Sequence, residues 1–377
     1  MSDLGVVEPA VDTTADPHGP TDAEKAGGPS EKPGRLPRLR AAADERLGIS
    51  ALQYAVPKHA NTVAWTLGGL TLAALAILVV TGILLAQFYT PTPEDARNSV
   101  LHIQNSVPFG ALLRGVHIWA AQAMFVLALA HLARILLTGS YKRPREANWL
   151  IGLGLLAMVF LLIFTGSTLR WDQEAFEAVG HNTALAELAG GFGTWFTPAF
   201  GAGAALVTRL YLAHVSFLPA LVFLLLIAHF ALVKRHGVSA RSDVAVGEVD
   251  GDETVPFTEH VRHLAGWSLI LLAVLVALAA VTVGGVGAAP VAGIEVTKPL
   301  WVFYWLYQLE NWIGIDGLFW APMVVGLLLA AVPFLDRSPQ RRPRRRKWVL
   351  GAALVLFGAL TVLTLMVAFS GPAAHLG

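Results

Sequence analysis

The chain has 377 residues, of which 55% are hydrophobic and 14% charged, and its mean hydropathy is +0.59. Soluble globular proteins carry about 25% charged residues, so the composition predicts a membrane protein. The formal net charge of +1 provides no basic field that would attract nucleic acid. The chain has no cysteine, which excludes disulfides, thiolate metal sites and thioether-linked haem. The 12 histidines remain as candidates for holding a metal or cofactor.

Residues 1–48 are rich in polar residues and have no apolar core, so we predict a disordered cytoplasmic tail and surface segment without a signal peptide. Seven apolar segments follow, each long enough to cross a bilayer as a helix. They lie at about 62–88, 110–137, 148–167, 207–233, 264–284, 318–335 and 348–370. The predicted fold is an all-α membrane protein with seven transmembrane helices.

Basic residues mark the loops after the second, fourth and sixth segments, most densely in the run 337–347. Lys and Arg favour cytoplasmic loops, so we expect a cytoplasmic N-terminus and a C-terminus on the outer face. The alternative, a nucleic-acid-binding arginine run, is disfavoured by the spanning segments on both sides of it. The aromatic stretch 301–312 is predicted to be an interfacial helix on the outer side.

The polar, acidic stretch 241–262 is predicted to be a cytoplasmic linker. It would join a four-helix transmembrane domain at 49–240 to a three-helix domain at 263–377.

Four histidines lie on the second and fourth segments. His117 and His131 are 14 residues apart, and His214 and His229 are 15 apart, so each pair lies on one side of its helix, about 21–22 Å apart. Both helices run from outside to inside, which would pair His117 with His214 near the outer face and His131 with His229 nearer the cytoplasm. Opposed imidazoles from two helices are the ligands of a six-coordinate haem. The alternative, buried histidines or a proton relay, does not account for two matched levels.

Glycines on the first and third segments repeat the 14-residue interval: Gly68, Gly82, Gly152 and Gly166. A glycine lets a flat macrocycle approach the helix backbone, and helix packing by small residues is the alternative. Arg114 and Arg134 lie close to the histidines and suit haem propionates, or they extend to the lipid headgroups.

Three stretches carry a family resemblance. RGVHIWAAQAMFVLALAHLARILLTGSYKRPREANW resembles helix B of cytochrome b6, TRLYLAHVSFLPALVFLLLIAHFALVKRHG resembles its helix D, and the end VPFLDR of the sixth segment resembles subunit IV of the b6f complex. Over residues 49–370 the chain is similar to the cytochrome b of bc-type and b6f-type complexes, with a fused subunit IV-like part.

The resemblance implies two bis-histidine haems b, with the outer one at the lower potential, and a quinone site near each face. It also implies a Rieske iron–sulfur protein, a cytochrome c subunit or both as partners, in a homodimeric complex of the bacterial cytoplasmic membrane. Candidates for the inner quinone site are Lys234, Arg235 and His236, which simple positive-inside anchoring explains equally.

Three positions depart from the family pattern. Thr66 stands where b6 forms attach an extra haem through cysteine, so no covalent haem is expected. Helix C ends in Arg-Trp-Asp at 170–172 in place of Pro-Trp-Asp. The outer-face Pro-Glu-Trp-Tyr motif reads Pro299, Leu300, Trp301 and Val302. The motif glutamate normally helps to take a proton from quinol, and Leu300 cannot. Glu310 or Glu174 are candidates to replace it, and solvated surface charges are the alternative.

Two functions therefore stay open. The first is transmembrane electron transfer as the cytochrome b subunit of a quinol:cytochrome c oxidoreductase. The second is a non-bifurcating di-haem cytochrome b that links the quinone pool to another periplasmic redox enzyme. A transporter or assembly subunit is disfavoured by the matched histidines.

Overall fold

The computed structural model describes residues 34–47, 54–193, 197, 203–282 and 284–373. The chain divides into two units, residues 1–52 and 53–377. In the first unit, α1 (Arg35–Leu47) is helical, where the sequence predicts a disordered tail and surface segment. Its Arg, Ala and Leu residues are good helix formers, which accounts for the helix. Residues 1–33 lie outside the described residues.

The second unit is built almost entirely of helices. In chain order they are α2 (Val63–Ala86), α3 (Ala96–Asn105), α4 (Gly110–Thr138), α5 (Glu146–Thr168), α6 (Gln173–Leu188), α7 (Gly190–Gly193), α8 (Leu206–Leu212), α9 (Leu218–His236), α10 (Phe257–Val281), α11 (Tyr304–Ile313), α12 (Ile315–Leu335) and α13 (Lys347–Ala368). Seven spans among the described residues are long and apolar enough to cross a membrane, with α8 and α9 forming one span. The predicted all-α fold with seven transmembrane helices is confirmed.

The spans pack around two neighbouring helix pairs. α2 packs along α4, α5 packs along α9, and α10 covers α2 and α4. An apolar core that includes Ala74, Met124, Phe125, Val159 and Ile163 fills the space between α2, α4 and α5. Most of the remaining apolar surface of the spans faces outward, as lipid-facing helices require.

The span that carries His214 and His229 contains a π-helical turn at Ala213–Phe217. A π turn closes i→i+5 hydrogen bonds, so it takes in one more residue than an α turn. Pro219 follows directly, and its missing N–H removes one α-helical hydrogen bond at this point. The extra residue explains why an interval of 15 residues on this span matches an interval of 14 on α4.

Residues 54–62 and 250–260 are joined by a small sheet. Strand β1 (Ala55–Pro57) pairs antiparallel with β2 (Thr254–Pro256). His59 Nδ1 lies 2.7 Å from Asp252 Oδ2, and His59 Nε2 lies 3.1 Å from the carbonyl oxygen of Ser239. Part of the predicted linker is therefore bound to the start of the bundle. The division into domains at 49–240, 241–262 and 263–377 stays a prediction.

The α4–α5 loop is joined to the α12–α13 loop by buried charges. Asp336 Oδ1 lies 2.6 Å from Lys142 Nζ, and Asp336 Oδ2 lies 2.9 Å from Arg346 Nε. The Tyr141 hydroxyl donates to Asp336 Oδ2 over 2.5 Å. Burial would raise the pKa of the Asp336 carboxyl, but hydrogen bonds from Lys142, Tyr141 and Arg346 hold that pKa at about 2. This cluster ties the loop between α4 and α5 to the loop between the last two helices, α12 and α13.

Candidate functional site

The structure brings the imidazole rings of His117 and His214 close to each other across the bundle. Their ring centroids are 6.4 Å apart, with the ring planes at 69°. Imidazole nitrogens bind transition metals at about 2 Å, so two rings that bind one metal ion from opposite sides have a separation of this order. We call these residues the outer pair, after the predicted orientation.

His131 and His229 line a cavity of about 310 Å³, which we call the inner cavity. We call them the inner pair. Gly68 and Gly152 line the same cavity, together with Trp65. Nδ1 of His131 is buried and has no hydrogen-bond partner in the part of the chain that the structure describes. His131 and His229 thus share one cavity, and their pairing as ligands stays a prediction.

Each of the four glycines lies against one of the four histidines. A Cβ atom added to Gly166 would lie 2.6 Å from Cε1 of His214, and one added to Gly68 would lie 2.9 Å from Cε1 of His131. The corresponding distances are 3.3 Å from Gly82 to His117 and 3.7 Å from Gly152 to His229. The glycines therefore leave the space beside the imidazoles open on both sides of the bundle.

Two threonines hold the outer pair, and sequence reasoning missed them. The Thr81 hydroxyl oxygen lies 2.8 Å from His117 Nδ1, and the Thr165 hydroxyl oxygen lies 3.1 Å from His214 Nδ1. Each hydroxyl donates its own proton to a backbone carbonyl one turn earlier, so it accepts from the imidazole. This arrangement leaves Nε2 of each ring available for a metal. The sequence contained a signal that could have identified them, because each threonine directly precedes one of the four glycines.

The two arginines have different surroundings. Arg114 is buried and donates to Gln104 Oε1 over 2.9 Å and to the carbonyl oxygens of Gly284 and Gly285. Arg134 lies in the inner cavity, with its guanidinium carbon 4.5 Å from the centre of the Trp65 ring. Its Nε is buried without a partner among the described residues. Arg134 is thus the better placed of the two for an anionic group in the cavity.

The residues present fit two haems. The outer level brings two imidazoles within 6.4 Å of each other, and the inner level has two imidazoles from different helices in one largely apolar cavity. Glycines leave space beside all four rings, which a flat iron macrocycle needs. The described residues contain no group of three or more His, Cys, Asp or Glu side chains that would hold a bare metal ion. A donor set of two imidazoles suits an iron whose other four ligands come from a macrocycle.

A third site is a cavity of about 220 Å³ near the outer pair, between α5, α6 and α11, which we call the outer cavity. Pro299 and Leu300 line it. Trp301 instead donates from Nε1 to Gln122 Oε1 over 3.0 Å, and Val302 is buried in the core. No carboxylate therefore stands at the second position of this motif, as the sequence indicates.

The outer cavity nevertheless contains acidic side chains. Glu310 is 3% exposed, so it is not a solvated surface charge. His181 Nε2 lies 3.2 Å from Glu310 Oε1 and 3.0 Å from Glu295 Oε1. Glu174 lines the same cavity and pairs with Arg170 over 2.8 Å. Sequence reasoning named Glu310 and Glu174 but gave His181 no role.

The candidates for an inner quinone site are not brought together at the cavity of the inner pair. Lys234 and Arg235 are exposed, and neither they nor His236 line that cavity. Arg145, Asn148 and His260 line it instead. Arg145 and Asn148 lie at the start of α5, whereas His260 lies on α10. Their proximity depends on helix packing and could not be predicted from the sequence.

We expect the Gly166→Ala substitution to displace the imidazole of His214, because the new Cβ would lie 2.6 Å from Cε1 of that ring. The outer haem should bind more weakly or show a shifted absorption band and midpoint potential. Gly154→Ala on the same helix is the matched control, since its Cβ would make an ordinary 3.6 Å contact with Leu225. Equal haem spectra and potentials in the two variants would contradict this assignment of Gly166.

The chain is similar to known proteins over most of its length. A family model described as cytochrome b/b6/petB matches residues 51–237. A cytochrome bc complex cytochrome b subunit of Chlorobaculum thiosulfatiphilum is 35% identical over 316 residues, which cover 80% of this chain and 73% of that protein.

Two shorter relatives match the N-terminal part. A cytochrome b6 of Heliobacterium mobile is 38% identical over 54% of this chain and 96% of its own length. The menaquinol:cytochrome c reductase cytochrome b subunit of Bacillus subtilis is 35% identical over 52% of this chain and 95% of its own. A solved structure, the hyperthermophilic respiratory complex III, shares the fold with a TM-score of 0.77 at 22% identity, covering 89% of this chain and 91% of that chain.

Proposed function

Because the chain belongs to the cytochrome b/b6 family, we propose that it is the cytochrome b subunit of a bc-type quinol:cytochrome c oxidoreductase and carries electrons across the membrane on two bis-histidine haems. The observation that carries this proposal is the outer pair, with ring centroids 6.4 Å apart and a glycine beside each ring. The inner pair repeats the arrangement at a second level. Two such centres would let an electron cross in two short steps.

The chain's own residues would prepare both sites for haem. Haem b supplies an iron that takes up and releases one electron. Thr81 and Thr165 accept hydrogen bonds from Nδ1 of His117 and His214, which leaves Nε2 of each ring available for the iron. Arg134 offers a buried cation to a propionate at the inner level. Apolar packing by the spans keeps water away and sets the environment of both centres.

The same proposal assigns quinol oxidation to the outer cavity. Phe160, Phe164 and Leu300 provide apolar walls for a quinone ring, and His181 and Glu310 provide polar groups at its edge. A pocket with mostly apolar walls and a few polar groups is typical of a small-molecule site. A Rieske iron–sulfur protein, a cytochrome c subunit or both would take the electrons that do not enter the outer haem.

Further assignments belong to the same proposal. The complex is a homodimer in the bacterial cytoplasmic membrane, with the N-terminus of the chain in the cytoplasm and its C-terminus on the outer face. A covalent third haem is absent from this chain, because Thr66 is buried and its hydroxyl is bonded to the carbonyl oxygen of Val63 over 3.0 Å. Thr66 offers no thiol for a thioether bond.

Leu300 favours a second candidate function. If the outer cavity oxidised no quinol, the chain would be a non-bifurcating di-haem cytochrome b, and electrons would pass between the inner cavity and another periplasmic redox enzyme. The two functions differ in whether quinol must enter the outer cavity.

A tryptophan in the outer cavity separates the two functions. Ala178 lines that cavity on α6, so Ala178→Trp is expected to exclude quinol and abolish quinol-dependent reduction of cytochrome c in the purified complex. Leu188→Trp is the control, since Leu188 is 45% exposed on the same helix and does not line the cavity. If quinol still reduced both haems of Ala178→Trp at the wild-type rate, the bc-type function would be rejected and the non-bifurcating one supported.

A further inference from the structure

The outer cavity holds an acid–base cluster in place of the motif glutamate. Glu295, His181 and Glu310 come from three separate parts of the chain, and their side chains are 5%, 14% and 2% exposed. All three line the cavity that Leu300 also lines. The cluster therefore stands where a bound quinol would need a group to take its proton.

The orientation of the His181 ring is fixed by the hydrogen bond of its other nitrogen. Nδ1 of His181 donates to the carbonyl oxygen of Glu177, one turn earlier on α6, over 2.9 Å. Nε2 is thereby directed at the two carboxylates, 3.0 Å from Glu295 and 3.2 Å from Glu310. One imidazole between two buried carboxylates can hold one or two protons, since each added proton reduces the negative charge of the group.

The other charged groups around the cavity have partners of their own. Arg170 pairs with Glu174 and with Asp172. The carboxylate of Glu177 accepts hydrogen bonds from the backbone of Val296 and Thr297 and from the Thr297 hydroxyl. Tyr307 lines the cavity on α11, and Asp316 at the start of α12 is exposed. Arg170, Glu174 and Glu177 are thus engaged in these pairs, whereas His181, Glu295 and Glu310 contact one another.

The electrostatics of His181 agree with that role. Burial would lower the pKa of the His181 imidazole, but the hydrogen bond and negative charge of Glu310, the carbonyl of Glu177 and the charge of Glu295 outweigh burial and raise that pKa. The two carboxylates therefore favour the protonated form of the His181 imidazole.

We propose that the Glu295–His181–Glu310 cluster is the proton acceptor for quinol oxidation in the outer cavity. The inference rests on the bc-type function proposed above. An O–H bond of the bound quinol breaks and its proton goes to the cluster, while the two electrons of the quinol go to the outer haem and to the iron–sulfur partner. The second proton leaves by the same cluster after the first has passed to water at the outer face.

The test uses the purified complex with His181→Gln and Glu310→Gln variants. Glu187→Gln is the matched control, because Glu187 is an exposed carboxylate on the same helix α6 and does not line the cavity. Short-chain benzoquinol and naphthoquinol serve as substrates in parallel. Haem spectra show that both centres are in place, rapid mixing gives the rate of haem reduction between about pH 5 and 8, and infrared difference spectra of quinol oxidation give protonation changes of carboxyl and imidazole groups.

In the wild type the rate should rise with pH, because a cluster with fewer protons accepts a proton more readily. His181→Gln should lower the rate by about 100-fold or more, as loss of a general base does, and should abolish that pH dependence. Glu310→Gln should remove a carboxyl band from the infrared difference spectrum. Leu300→Glu in the His181→Gln background should restore much of the rate, because it returns a carboxylate to the motif.

Two results would overturn parts of the account separately. If His181→Gln and Glu310→Gln keep the wild-type rate, pH dependence and infrared bands, the cluster is a structural ion pair and the proposed acceptor is wrong. If the Ala178→Trp complex, in which tryptophan fills the cavity, reduces its haems at the wild-type rate, the bc-type function itself fails. If one of these two variants loses its haems, the infrared bands of the wild type and of the other variant decide whether the cluster takes up the proton.

Discussion

The His229→Ala variant is expected to keep the outer haem and to lose the inner one. His229 and His131 reach the inner cavity from α9 and α4, so the variant would leave one imidazole for an iron that needs two. The outer pair lies at the other level and keeps its threonine partners. The haem-to-protein ratio of the purified chain should therefore fall by half, and redox titration should show one midpoint in place of two.

His260→Ala is the matched control for this substitution. His260 also lines the inner cavity, but it comes from α10, and its Nδ1 lies 2.8 Å from Asn61 Oδ1. We expect that variant to keep both haems. Two intact bis-histidine haems in His229→Ala would refute the pairing of histidines at the inner level.

The transmembrane architecture could be predicted from the sequence because it depends on local composition. Apolar runs such as the one that became α5 need to satisfy their backbone groups internally, so their length and hydropathy determine a helix. The predicted pairing of histidines rests on helix periodicity and the positive-inside rule. The sequence places both intervals, 14 and 15 residues, on one helix face, and the π turn at Ala213–Phe217 accounts for the extra residue.

The parts that sequence reasoning missed depend on contacts between distant segments. The β1–β2 pairing joins residues about 200 positions apart in the sequence, and three-residue strands give no periodic signal. His181 carried no motif, and only the packing of α6 against residues 284–300 and α11 brings it to Glu295 and Glu310. Thr81 and Thr165 looked like ordinary helix residues, although both stand directly before a glycine that faces a histidine.

The sequence shows that leucine stands at position 300 in place of the motif glutamate. It does not show which carboxylate could replace that glutamate. Sequence reasoning could name Glu310 as a replacement only as one of two acidic residues near the outer face. In the structure Glu310 is buried and contacts an imidazole, whereas Glu174 is paired with Arg170. Burial and pairing therefore distinguish two carboxylates that the sequence treats alike.

The Asp336→Ala variant is expected to destabilise the protein by about 3–5 kcal/mol, because it leaves Lys142 and Arg346 as buried cations without their carboxylate. Thermal unfolding of the detergent-solubilised chain, followed by loss of the haem bands, measures the effect. In the wild type the contribution of Asp336 should be complete above its unfolded pKa of about 3.9. It should be lost as the pH falls toward the folded pKa of about 2, because protonation removes the charge that holds both cations.

Glu253→Ala is the control that separates burial from ion pairing as such. Glu253 lies 2.7 Å from Lys58 Nζ, nearly the same distance as in the Asp336–Lys142 pair, but the two side chains are 77% and 62% exposed. An exposed pair of this kind contributes little to stability, since water solvates both charges after the pair is broken. If the two variants lost stability equally, the cluster at Asp336 would be no more than a surface ion pair, and the C-terminal helices would have to be held to the bundle by apolar packing alone.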